Sequence, residues 1–294
     1  MYYRRKILLS LLEIFGGELE GIRLQKLLML LSRSQEKPSF DFVPHTQGCF
    51  SFRANADLKT LSKYKQVIEQ NGFWKKVEKE SYITELKQKD RQALVEMKDR
   101  YEHKSLEDIV ITINESYPFY AMNTTSPYGT INSTEPETGY NNETEANRNK
   151  LFTIGYEGIS LESYLNKLIR NDVKSLLDVR KNSVSMKYGF SKRQLQEACH
   201  GINIMYYHLP ELGIESNKRK KLESQADYNL LFKEYERVNL PNTIKVQEQV
   251  LNLVDKYQRV ALTCFEADVC QCHRKPLAES ISRLSNSPCE VEHI

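Results

Sequence analysis

The stretch Val260-Ala-Leu-Thr-Cys-Phe-Glu-Ala-Asp-Val-Cys-Gln-Cys-His-Arg-Lys-Pro-Leu-Ala-Glu279 decides how the chain is read. Val260 to Thr263 form a short apolar run of the kind that makes a buried strand, and Pro276 followed by Leu277, Ala278, Ile281 and Leu284 predicts a helix with proline in its first turn. Cys264, Glu266, Cys270, Cys272, His273 and Arg274 therefore fall in the loop between strand and helix. In an open α/β sheet that loop lies at the carboxyl edge, where ligands bind, and the helix N-terminus that follows favours anions. A thiol beside Arg274 and Lys275 is expected to have a lowered pKa there.

Working outward, 294 residues are enough for two domains, each with its own core. A net charge of +3 does not by itself announce a nucleic-acid binder. No apolar run reaches the roughly 20 residues that span a bilayer, and the N-terminus enters an amphipathic pattern, so a cytoplasmic protein without a membrane partner is expected. Six cysteines, three of them between 264 and 272, suit reduced thiols or a metal better than a disulfide framework. In that compartment the sequons at Asn123, Asn132 and Asn142 carry no glycan.

Ile7, Leu8, Leu11, Leu12 and Phe15 recur at helical spacing until Gly16-Gly17, and Ile22 to Leu31 form a second, very apolar helix closed by Pro38. Phe40-Asp-Phe-Val43 alternates like a strand. Gly48-Cys-Phe-Ser51 leads into a third helix with Leu58, Leu61, Val67 and Ile68 on one side, ended by Gly72-Phe73-Trp74. Residues 84 to 103 read as a charged helix, Leu106 to Ile113 as a helix end or strand, and Tyr117 to Tyr120 as a return to this domain. Residues 121–149, rich in Asn, Thr, Ser and Glu, read as a linker.

Beyond it, Leu151-Phe-Thr-Ile-Gly155 is a strand, Leu161 to Ile169 a helix and Ser175-Leu-Leu-Asp-Val179 a strand. This is a βαβ unit with parallel strands. Asp178 and Arg180 stand at the end of that second strand, before a basic loop from Lys181 to Tyr188. Ser191 is a plausible N-cap for the next helix. Asn203 to Leu209 form a third strand, and helical stretches over 218–238 and 245–258 lead back to Val260. The fold class is α/β: a mostly parallel sheet flanked by helices over 150–294, with a mainly helical domain over 1–120.

Two resemblances follow from these residues. Leu24-Gln-Lys-Leu-Leu28, Phe40-Asp-Phe-Val-Pro44, Gly48-Cys-Phe-Ser51 and Asp57-Leu58 resemble a winged helix-turn-helix segment. That resemblance implies DNA contact, for which Arg53, Lys59 and Lys63 on the third helix are the candidate residues. The competing reading is a helical packing or homodimerisation domain with ordinary solvated lysines. Thr153-Ile-Gly155, Asp178-Val-Arg180, Ser185, Phe190, Tyr206, His208-Leu209, Leu212-Gly213, Cys264, Glu266 and Cys272-His-Arg274 occur in the order found in the DUF488 family. The chain resembles that family over its second half, which implies an α/β fold and assigns no activity. It departs from the family at Tyr156-Glu157, where a His-Ser pair is common, and at the extra thiol of Cys270.

The main spatial expectation is that the strand ends converge, bringing Tyr156, Glu157, Asp178, Arg180, Cys264, Glu266, Cys272, His273 and Arg274 to one pocket. In the active reading Cys272 is a nucleophile or polarising thiol, His273 or Glu266 moves protons, and Arg274 and Arg180 hold an anion such as a phosphate. Tyr156, Glu157 and Cys264 line the ligand. The bland reading makes Cys272 a buried structural thiol and Asp178 an orienter of Arg180 or of the loop backbone. Cys264, Cys270, Cys272 and His273 supply enough donors for zinc, but Cys-x-Cys-His is tighter than the usual knuckle, so no metal is assigned. Walker loop, dinucleotide fingerprint, zincin and Gly-x-Ser-x-Gly motifs do not occur. The function expected is that of a DNA-associated protein whose α/β domain acts on a nucleic-acid or nucleotide phosphate-bearing substrate. The alternative is a non-enzymatic DNA-binding regulator that senses a small anionic ligand.

Overall fold

The computed structural model describes residues 1–124, 149–219, 222–285 and 289–294. The chain divides into two compact units, Met1–Pro136 and Glu137–Ile294. Most of the expected linker, and the sequons at Asn132 and Asn142, lie outside the described residues.

In the first unit, helix α1 (Tyr3–Ile14) stops at Gly16 and Gly17, both with φ of +87°, a conformation glycine adopts without strain. Strand β1 (Glu18–Glu20) leads into α2 (Gly21–Ser34), and β2 (Val43–His45) and β3 (Gly48–Phe50) form a hairpin. Helix α3 (Phe52–Lys63) begins at Ser51, whose hydroxyl accepts from the Ala54 N–H. Two expectations change here. Phe40 and Phe42 are buried but precede the strand, which takes Val43–His45. Val67 and Ile68 do not continue the helix: Lys65 turns into the left-handed region, and β4 (Val67–Gln70) and β5 (Phe73–Lys76) form a hairpin. Its two-residue turn, Asn71-Gly72, has positive φ at both positions, as a type I′ turn requires. The three strands pair antiparallel in the order β1-β5-β4. Helix α4 (Gln88–Tyr101) and helix α5 (Leu106–Ser116), the latter started by a Ser105/Asp108 capping box, complete the unit. Leu8, Leu11, Leu27, Leu28, Leu58, Leu61 and Trp74 share its core, which Tyr120 rejoins.

The second unit is an α/β layer structure. Strands β6 (Lys150–Gly155), β7 (Ser175–Asp178), β8 (Met205–His208), β9 (Arg259–Cys264) and β10 (Glu290–His293) are all parallel, in the order β10-β6-β9-β7-β8. Strands β6 and β7 are parallel as expected, yet not neighbours, because β9 lies between them. Helices α6 (Leu161–Arg170), α7 (Lys192–His200), α8 (Gln225–Glu234), α9 (Ile244–Tyr257) and α10 (Arg274–Leu284) flank the sheet. Near-continuous apolar runs in β6 and β9 reflect burial on both faces. Strand β10 was not anticipated. Ser191 precedes α7, but its hydroxyl bonds Ser185 instead of capping the helix. Among the described residues no helix is long and apolar enough to cross a membrane.

Candidate active site

Parallel strands end together, so the loops after β6, β7 and β9 meet at one edge of the sheet. Two glycines let them approach. A Cβ on Gly155 would stand 1.8 Å from the Glu266 carbonyl oxygen, and one on Gly213 would stand 2.1 Å from the Lys181 backbone nitrogen. Between the loops lies a cavity of about 520 Å³ whose lining includes Tyr156, Arg180, Lys187, Arg219, Cys264 and Glu266.

Arg180 is set by the residue two places before it. Asp178, fully buried, accepts from Arg180 Nε at 2.7 Å, Nη2 at 2.5 Å and the backbone N–H at 3.1 Å, and from the Tyr206 hydroxyl at 2.7 Å. The remaining guanidinium nitrogen, Nη1, donates to the Tyr156 hydroxyl at 2.6 Å. Tyr156 in turn stacks on Phe190, ring centroids 4.2 Å apart. Every contact holds the guanidinium in one orientation, so it enters the cavity as a fixed positive charge. The desolvation of burial opposes that charge, but Asp178 and Tyr156 more than offset it and the Arg180 pKa rises. Burial and the Asp178 charge also hold the Tyr206 phenol protonated.

Cys264 lines the other wall, with Cys272 and His273 buried behind it. The donor atoms of Cys264, Cys272 and His273 lie within 4.8 Å of one another, all buried. His273 Nε2 is 3.2 Å from the Val179 carbonyl, to which it must donate, leaving a lone pair on Nδ1. That lone pair accepts from Arg219 Nη2 at 2.8 Å, while Arg219 Nη1 pairs with Glu266 Oε1 at 2.6 Å. Cys264 Sγ stands 3.1 Å from Glu266 Oε2 and 3.6 Å from His273 Nδ1. Burial alone would raise the Cys264 pKa. The hydrogen bond from Cys272, together with the Arg219 guanidinium, outweighs it and holds Cys264 well below the ordinary thiol range. Cys272 goes the opposite way: burial and its bond to Cys264 keep it protonated. Glu266 is raised by burial and by the neighbouring thiolate, Arg219 only partly opposing them.

The expected residues thus meet at one edge. Of the two coupled thiols, Cys264 is the one that Cys272 and the Arg219 guanidinium hold low. Arg274 is 2 % exposed and does not line the cavity. Its nitrogens donate to the carbonyls of Glu266 at 2.5 Å and Ala267 at 3.0 Å, so it shapes the loop rather than meeting a ligand. Glu157 does the same from the other side, its Oε2 accepting from the Ala267 N–H at 3.1 Å. Asp178 is sealed beneath Arg180 with no face to the cavity, which makes it a positioning residue. Cys270 is exposed and stands outside the Cys264/Cys272/His273 group, the set best arranged to hold a soft metal; Arg219 already occupies the imidazole lone pair there. His208 donates to the Arg180 carbonyl at 3.0 Å, consistent with a core-edge role. Two further cations stand here, one from the loop the sequence marks as basic and one the sequence does not mark. Lys187, from the basic loop, reaches the Tyr156 carbonyl at 2.5 Å, and Arg219 sits in a short 3₁₀ turn (Ser216–Arg219) that the charge pattern presents only as the start of a solvated helix.

Residues 160–281 match the profile of the domain of unknown function DUF488. This part of the chain is a DUF488 domain. The match runs from the start of α6 into α10, so it includes β7, β8, β9 and the thiol cluster, while β6 and β10 lie outside it. No curated protein and no solved structure matches the chain. The winged-helix likeness of the N-terminal region has no counterpart among these comparisons.

Proposed function

We propose that the DUF488 domain acts on a phosphate-bearing nucleotide or nucleic-acid substrate, with Cys264 as nucleophile, and that the N-terminal unit brings it to DNA. One observation carries the reading: a depressed thiol opens onto a cavity that also presents Arg180, Lys181, Lys187 and Arg219. Arginines fixed by their own partners suit the bidentate geometry of a phosphate, and their charge favours the anion over neutral competitors. Exposed Val184, Met186 and Phe265 stand among the same lining residues, an apolar rim fitted to the face of a nucleobase. Glu266, its carboxyl raised toward neutrality, is placed to donate a proton to a leaving group.

For the N-terminal unit the support is the order helix, strand, helix, short hairpin, helix, then a second β-hairpin that pairs with the first strand, which resembles a winged helix with an added hairpin before its third helix. On α3, Lys59 and Lys63 are exposed. Arg53 lies 3.8 Å from buried Asp57, which also binds Arg4 and Arg5, so it contributes less free charge than its position suggests.

The test is to incubate the whole chain with single- and double-stranded DNA and with nucleoside phosphates, following products and protein mass together. Turnover, or a covalent adduct on Cys264, is expected, abolished in Cys264→Ser with DNA retention unchanged. Ligand-dependent DNA binding without turnover under any condition would instead favour the regulator that senses an anion. Failure of the Lys59→Glu/Lys63→Glu variant to weaken DNA binding would remove the DNA-contact assignment.

A further inference from the structure

The first unit holds a second cavity, of about 220 Å³, between α2, the β2–β3 hairpin and α5. Its walls are mostly apolar, from Ile22, Leu106, Val110 and Ile113, and among the described residues no acidic side chain lines it. Lys26 reaches into this setting from α2 and is 3 % exposed. Its ammonium donates to the carbonyls of Gln47 at 2.5 Å and Cys49 at 3.1 Å, which uses two of three N–H bonds. Among the described residues no carboxylate pairs with it, and a buried cation without a counter-ion is costly. Burial accordingly lowers the Lys26 pKa, with Cys49 opposing weakly. Cys49 supplies no charge, since its own burial keeps it a thiol.

Two more polar groups face the same space without a partner. Asn114, 5 % exposed, has an unbonded Nδ2, and Thr124 has an unbonded Oγ1. Buried donors in native proteins are nearly always satisfied, so two unbonded ones beside a buried ammonium point to an absent acceptor. We propose that this cavity binds a small carboxylate with a short apolar tail, its oxygens meeting Lys26, Asn114 and Thr124 and its tail lying against Ile22, Val110 and Ile113. The site is separate from the thiol cluster and stands whether or not the DUF488 domain proves to be an enzyme.

Butanoate is the probe, titrated calorimetrically into the full-length protein, with butanamide and inorganic phosphate alongside. Saturable one-to-one binding of butanoate is expected, with butanamide at least tenfold weaker and phosphate unable to displace it. Lys26→Met and Asn114→Leu should each weaken butanoate at least tenfold. Asn114→Leu gives up no side-chain hydrogen bond among the described residues and fills apolar space, so it keeps the test decisive if Lys26→Met does not fold. Absence of saturable butanoate binding, displacement by phosphate, equal affinity for butanamide, or unchanged affinity in Asn114→Leu would each overturn the proposal.

Discussion

Replacing Asp178 with alanine removes the acceptor of three Arg180 hydrogen bonds and of the Tyr206 hydroxyl in one step. What remains is a guanidinium 5 % exposed, with the Tyr156 hydroxyl as its one hydrogen-bonding side chain among the described residues. Breaking a buried ion pair by deleting one member costs about 3–5 kcal/mol, because the survivor is left charged and desolvated. Losing the acceptor of a buried phenol adds about 1–3 kcal/mol. The sum, about 4–8 kcal/mol, approaches the whole stability of an ordinary domain, about 5–15 kcal/mol. Removing both charges, as Asp178→Leu with Arg180→Met, should recover more than half of that loss, since matched apolar replacements of buried pairs are often neutral. Urea unfolding followed by far-UV circular dichroism gives the free energies, and hydrogen exchange in peptides covering β7 and β8 reads this unit directly. The single tryptophan, Trp74, cannot serve here because it belongs to the other unit. A loss under about 1 kcal/mol for Asp178→Ala, or a double variant no more stable than the single one, would refute the claim that Asp178 exists to hold Arg180.

Three further outcomes are expected. Iodoacetamide should modify Cys264 at a rate nearly flat through neutral pH, where an ordinary thiol of pKa about 8.5 speeds up tenfold per unit; Arg219→Met should slow it about fivefold to thirtyfold at pH about 7, from a Coulomb attraction of about 4 kcal/mol discounted for partial exposure. Peptide mapping by mass spectrometry reads both rates. Stability should vary with pH in two senses: the depressed Cys264 adds stability as pH rises toward the unfolded thiol pKa of about 8.5, and the raised Cys272 gives it up above that value, so the pair's contribution peaks near there. Denaturation midpoints across that range, compared with Cys264→Ser/Cys272→Ser, isolate the effect. Gly155→Ala forces a methyl group into the Glu266 carbonyl and should cost about 3 kcal/mol while displacing Glu266, seen as lost stability with faster exchange over residues 264–268.

Local signals are legible in the sequence, and pairing over distance is not. Gly16-Gly17 ends α1 and the run from Val260 is β9, because helix stops and apolar runs are encoded within a few residues. The clustering of Glu266, Cys272 and His273 near Arg180 followed from strand ends alone. Leu58, Leu61, Val67 and Ile68 fit helical spacing equally well, yet the Asn71-Gly72 turn decides for a hairpin; that dipeptide was the available signal. Which thiol ionises could not be read, since it depends on Arg219, brought in from some 45 residues away by the chain path rather than by spacing. Strand β10 is short, half exposed and polar, so its pattern resembles a tail.

The place of β9 has a consequence for how the chain matures. It is the fourth strand of its sheet to be synthesised, and it occupies the centre, bonded to β6 on one side and β7 on the other. Until it arrives, those two strands have no partner at the positions it will fill, and their unpaired edges invite association with other chains. A ribosome-bound chain lacking residues beyond Tyr257 should therefore depend on chaperones, and release of the segment through Cys264 joins the two halves of the sheet, with β10 left to add at its edge. The centre of this unit thus closes late in translation.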